Sequence, residues 1–237
     1  MTAKVIQEIV FMENTMETTI GSRLPEEAGS LYQLAEGYIV VGQKMALLLR
    51  EKGFTLMDFD RLTIVLSEAV PEGAIVFSER ITDKWMRYVD YGIKRDVLNA
   101  LTPKEQEDAL LEIAQRVVRE LFVDTAEKAA MLEETVEAIQ THTEEIDIVY
   151  QSKQDKVVRV ESVVTIYSSG HCRLAAKIMD LEGKLLTEEE LCQCDNLQQA
   201  LQYSGTILIR KNRVVIKPIN NVTTKELQPI EIPFEVE

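Results

Sequence analysis

Two histidines, three cysteines and a few paired carboxylates set the limits of the chemistry open to this chain. A three-histidine zinc site is impossible, and any histidine-centred acid–base mechanism has to use His142 or His171. His142 lies in Gln140-Thr141-His142-Thr143 at an expected helix end, where its charged form is favoured by the helix dipole, and it reads as a solvated C-terminal residue. His171-Cys172 and Cys192-Gln193-Cys194 are the one soft-ligand cluster. On paper they supply four zinc ligands, but a C-x-C step on a strand sends both sulfurs to one face while the adjacent His171 and Cys172 point oppositely. We therefore expect no metal and no other cofactor. Small buried thiols and a turn histidine account for these residues, and the same geometry weakens Cys172 as a nucleophile.

Asp58-Phe59-Asp60 would set two carboxylates toward a metal or a diphosphate, yet a lone D-x-D has no second acidic or phosphate-binding element to complete it. A loop before a strand explains it more simply. Glu133-Glu134 and Glu188-Glu189-Glu190 read as solvated helix or loop faces, with Glu190 and Thr187 forming a local cap. Glycine-rich phosphate loops, G-x-S-x-G and H-E-x-x-H are all absent from the sequence. No catalytic residue is assigned.

The densest segment is Asp83 to Gly92, DKWMRYVDYG, which holds the single tryptophan, two tyrosines, an arginine and two aspartates. As an extended strand it puts Trp85, Arg87, Val89 and Tyr91 on one face and Met86, Tyr88 and Asp90 on the other. The first pattern is that of a core face; the second mixes apolar bodies with polar tips, as interface anchors do. Trp85, Tyr88, Asp90 and Tyr91 are the partner-binding candidates.

The elements that must position these groups follow from period and punctuation. Lys4 to Phe11 favours a strand. A long helix is expected from Pro25 to Gly53, with Leu31, Leu34, Tyr38, Val41, Met45 and Leu49 at helical spacing and Gly37 and Gly42 marking close packing or a bend. Leu62 to Leu66, Ala74 to Phe77 and Lys84 to Tyr91 read as strands. Thr102-Pro103-Lys104-Glu105 is a capping box that opens a helix, and Asp124 with Glu127 opens a second, so the two form an antiparallel helical hairpin over the preceding sheet.

From Ile146 the period becomes two. Strands are expected near 146–151, 157–167, 172–180 and 184–186 as an antiparallel meander, followed by a short helix at 196–203 capped by Asp195. A hairpin of 206–210 with 213–217 comes next, then an extended tail from Pro218 along a sheet edge. The fold class is α+β: N-terminal strands with long helices, including the hairpin, then a C-terminal antiparallel β-meander. The expected division is 1–145 and 146–237, with no Gly/Pro/Ser linker to say whether the halves share a sheet.

At 237 residues and 46% hydrophobic the chain can bury a large core without staples. No apolar run approaches the roughly 20 residues of a membrane span, the N-terminal stretch lacks a signal-peptide pattern, and an odd cysteine count suits a reducing compartment. These features point to a cytoplasmic, unprocessed protein. A net charge of −14 argues against nucleic acid, whose phosphates demand clustered Lys and Arg. Two functions fit. One is an acidic, non-catalytic binding or inhibitory protein for a basic protein partner, analogous in charge, size and lack of motif to toxin-immunity proteins. The other is a small-molecule-binding protein or carboxylate-dependent enzyme with a cleft between the halves. The oligomeric state is not legible.

Overall fold

The computed structural model describes residues 3–14, 24–35, 37–80 and 83–235, and the fold is α+β. The chain divides into two compact units, residues 1–143 and 144–237. No helix among the described residues is long and apolar enough to cross a membrane.

The first unit runs β1 (Glu8–Glu13), β2 (Glu26–Glu27), α1 (Tyr38–Glu51), β3 (Arg61–Ser67), β4 (Ile75–Phe77), β5 (Met86–Gly92), α2 (Arg95–Asn99), α3 (Pro103–Phe122) and α4 (Ala126–Thr141). Its sheet has the order β2-β1-β3-β5-β4, with β1, β3 and β5 parallel and the two outer strands antiparallel. One face is the core: Ile9 and Phe11, Leu62, Ile64 and Leu66, and Val89 pack against Val41, Met45 and Leu49 of α1, the Leu110, Ile113 and Val117 stripe of α3, and Leu132 and Val136 of α4. The central strand β3 is buried from Leu62 to Ser67, on both faces, which is why it reads as a nearly unbroken apolar run. Gly42 lets α1 lie directly on β1, since a Cβ there would come within 2.4 Å of the Ile9 carbonyl oxygen. Gly92 serves a similar close approach to Pro71.

The helix expected from Pro25 begins instead at Tyr38. Long-range hydrogen bonds outcompete helix formation before it. The Glu13 carboxylate, fully buried, accepts from the backbone amides of Gly29, Leu31 and Tyr32 at 3.0–3.2 Å, and Gly29 takes φ +130° to allow this. The Gln33 amide donates to Asn99 and that of Ala35 to Gln106. Charge-assisted bonds to a buried carboxylate outweigh a few tenths of a kcal/mol of helix propensity per residue. Leu31 and Leu34 still pack on the core, so their spacing reflected burial without a helix.

α3 starts as expected: the Thr102 hydroxyl accepts from the Glu105 amide, and the Glu105 carboxylate accepts from the Thr102 amide at 2.8 Å. α4 is capped by Thr125, not Asp124. Thr125 is extended at φ −137° and accepts from the Lys128 amide, whereas Asp124 pairs with the Lys128 ammonium at 3.1 Å.

The second unit is the meander β6 (Glu145–Gln154), β7 (Val158–Tyr167), β8 (Cys172–Asp180) and β9 (Leu185–Cys194), antiparallel in that order. Then come α5 (Leu197–Gln202) and a separate three-stranded sheet of β10 (Thr206–Ile209), β11 (Arg213–Lys217) and β12 (Ile230–Pro233). β9 is far longer than the expected 184–186 and carries Glu188, Glu189 and Glu190 as strand residues, so they form neither a helix face nor a loop. Their partners explain the extension: Glu188 lies opposite Lys177 and pairs with Arg173 at 3.3 Å. Asn196, not Asp195, caps α5, accepting from the Gln199 amide at 3.0 Å. The proline-bearing tail ends as the edge strand β12 on β11.

Candidate functional site

β5 alternates as its sequence implies, yet both of its faces are covered. Val89 lies in the helix-facing core, and Tyr91 is half-buried beneath Arg116, whose guanidinium sits 5.9 Å from the ring centroid. On the other face Tyr88 is 6% exposed and Asp90 fully buried. The 78–80 segment closes that side: the Ser78 amide donates to the Tyr88 carbonyl, and Arg80 Nη1 donates to both Asp90 carboxylate oxygens at 3.0 and 2.7 Å and to Ser78 Oγ at 3.1 Å. Burial pushes the Asp90 carboxyl up from its usual value, against the downward pull of the Arg80 hydrogen bonds and charge. Tyr88 and Asp90, two of the partner-binding candidates, thus lie inside. Sequence reading missed Arg80, because nothing local marks a surface-type residue ten positions away as the counter-charge.

Trp85 is placed differently. It precedes β5 and is 40% exposed, with its carbonyl accepting from the amides of Asp60 and Arg61. Those bonds lay the loop Met57-Asp58-Phe59-Asp60 alongside it. Met57 is 52% exposed; Phe59 is buried, edge-on to Phe122 at 5.8 Å; and Asp58 reaches Arg87 at 3.7 Å. The D-x-D pair therefore flanks a core phenylalanine in the turn before β3. The corner presents an aromatic and a methionine to solvent among the half-buried carboxyl-bearing residues Asp58, Asp60 and Asp83.

The carboxyl ends of parallel strands, where open α/β sheets hold ligands, carry Glu13, Asn14, Ser67 and Glu68. Each is already engaged. Glu13 holds the 29–32 loop, Asn14 donates to Ser67 Oγ, and Glu68 accepts from the Arg95 amide with the Arg95 guanidinium 3.7 Å away. Nearby, the Tyr32 hydroxyl donates to the Ile93 carbonyl, and burial raises its pKa well above the ordinary phenol value. A groove of about 810 Å³ lies along the outer face of α3, with Glu105, Asp108 and Glu112 on its wall and Gln140 and Thr143 at its side. It contains no nucleophile–base pair.

In the second unit the cysteines gather at one end of the β8–β9 pair. Cys194 lies opposite Cys172 and Cys192 opposite Leu174, so all three thiols share the face that buries Leu174. The Cys192 and Cys194 sulfurs are 3.3 Å apart, and burial, then the neighbouring Cys194 thiol, push the Cys192 pKa up to about 12. His171 Nδ1 is 3.1 Å from Ser169 Oγ, and its Nε2 lies 3.9 Å from Asp195. These three have the residue types of a hydrolytic triad without its geometry: the carboxylate is beyond hydrogen-bond range, and the His171 and Asp195 side chains are 62% and 84% exposed. His142 is the exposed C-cap of α4. No group of three or more His, Cys, Asp or Glu among the described residues is arranged to hold a metal ion. Compared with known protein families, curated proteins and solved structures, the chain matches none.

Proposed function

We propose that the protein acts by binding a basic protein partner through the corner built from Trp85, Met57 and the aspartates beside them, without catalysis of its own. The observation that carries this reading is the exposure of the chain's only tryptophan, a residue type enriched among interface anchors, next to an exposed methionine and a set of carboxylates. Charge supports it. Residues 1–143 hold 25 of the 40 acidic residues but 15 of the 26 Lys and Arg, so the field that would steer a cationic partner is concentrated on the unit bearing Trp85. Among that unit's described residues the fully buried carboxylates, Glu13 and Asp90, are committed to loop amides and to Arg80, which favours binding over a carboxylate-dependent reaction there. Three cysteines in no disulfide fit a reducing compartment such as the cytoplasm.

Affinity capture with the full chain, followed by kinetics on the purified partner, tests the proposal. Association should slow as salt shortens the Debye length from about 10 Å at 0.1 M to about 3 Å at 1 M. Trp85→Ala should raise the dissociation rate by about 30-fold, the equivalent of a 2 kcal/mol anchor. A salt-independent association together with an unaltered off-rate for Trp85→Ala would refute both the steering and the site.

A further inference from the structure

We propose that Cys192 and Cys194 form a reversible redox site that closes a disulfide within strand β9 on exchange with a low-molecular-weight disulfide. Residues two apart on a strand point to one face, and here the two sulfurs already touch at 3.3 Å; closing the bond to about 2.05 Å also draws the Cβ atoms in to about 3.8 Å, so the strand must leave its extended form at this end. Among the described residues β9 is the outer strand of the meander, paired only to β8, and both thiols are half-buried where Cys172 is fully buried. Small oxidants can therefore reach the pair. Cys194 is the last residue of β9, directly before the turn into α5, so the backbone has freedom to adjust at that end.

One of the two thiols attacks the external disulfide RS–SR as its thiolate and expels RS⁻. The other sulfur then attacks the protein sulfur of the mixed disulfide, its proton passes to solvent or to RS⁻, and the second RS⁻ leaves. Two thiols are oxidised and one external disulfide is reduced to two thiols. A strand spaces residues i and i+2 by about 6.6 Å, near the upper limit of roughly 6.8 Å for disulfide Cα atoms, so the closed bond is expected to be easily reduced. Transient oxidation of this kind belongs to a reducing compartment.

The experiment uses the full chain in glutathione buffers of increasing oxidised fraction, with alkylation of the remaining thiols and tryptic mapping. Cys192 and Cys194 share one tryptic peptide, Leu185 to Arg210, and Cys172 lies in another, Val160 to Arg173. The expected product is the 185–210 peptide lighter by two hydrogens and unalkylated, with Cys172 still alkylatable and all three thiols recovered after dithiothreitol. Cys172→Ala should oxidise in the same way, and at least one of Cys192→Ser and Cys194→Ser should accumulate a glutathione adduct on the remaining thiol of the pair. Three alkylatable thiols throughout the buffer series, a cross-link joining the two peptides, or no adduct in either serine variant would each overturn the assignment.

Discussion

Removing Arg80 should cost the protein a large part of its stability, and the geometry says how much. The Arg80 and Asp90 side chains are 2% and 0% exposed with N and O 2.7 Å apart, so neither charge has solvent to fall back on. Two such charges attract by more than about 4 kcal/mol at an effective dielectric constant of 20, and this offsets desolvation penalties of several kcal/mol per ion. Arg80→Met leaves the Asp90 penalty uncompensated, with an expected loss of about 3–5 kcal/mol. At a urea m-value of about 2 kcal/mol/M, the midpoint falls by about 2 M. Trp85, the only tryptophan, gives the assay, because its fluorescence reports on the unit that contains the pair. The acid dependence follows in sign. Without Arg80, burial alone acts on Asp90 and holds its folded pKa above the unfolded value, so the deficit is fully present above that raised pKa and shrinks as falling pH protonates the carboxyl. Arg80→Met/Asp90→Leu, which removes both charges, should recover much of the loss. A midpoint shift below about 0.5 M in Arg80→Met, or a double variant no more stable than the single, would refute the reasoning.

Gly42→Ala should lower the thermal midpoint, since its methyl carbon would sit 2.4 Å from the Ile9 carbonyl oxygen and force α1 off β1; an unchanged midpoint would mean that the helix shifts freely. Thr102→Ala should destabilise by about 0.5–2 kcal/mol in denaturant melts through loss of the N-cap. The backbone and then the hydroxyl of Thr102 hold the Glu105 carboxyl below its usual range, so the stability advantage over Glu105→Gln should be present at neutral pH and vanish as pH falls through that depressed value; parallel melts from pH 7 to 2 decide it.

What could be read from the sequence was what neighbours in sequence decide. The Thr102 to Glu105 capping box, the branched run at 62–66 and the meander turns at 168–170 and 182–183 are set by contacts within a few residues and stand where their spacing put them, whereas the turn expected at 152–155 starts only after Gln154, because residues 152–154 pair with 159–161 in β7. The failures came from distant partners. A helix from Pro25 was locally reasonable until the Glu13 carboxylate, sixteen or more residues upstream, accepted from the amides of Gly29, Leu31 and Tyr32. Three successive glutamates hide a strand because the β8 cations that face them lie beyond a turn. At the candidate site, alternation separated the two faces of β5 correctly, but whether the second face meets solvent depended on Arg80 folding back over Asp90. Trp85, assigned by the same alternation to the core face, instead lies before the strand, at the turn, and is 40% exposed.

The glutamates of β9 have a consequence for how copies of this protein behave in a crowded solution. Among the described residues β9 is the outer strand of its sheet, ten residues long, the kind of edge on which a second chain can template another strand. An antiparallel β9–β9 pairing centred on residue 189 would bring Glu188, Glu189 and Glu190 of one chain against the same three of the other, and like charges directly opposed destabilise a ladder. The run acts as a gatekeeper against fibre-like stacking at that edge, independently of anything the protein binds.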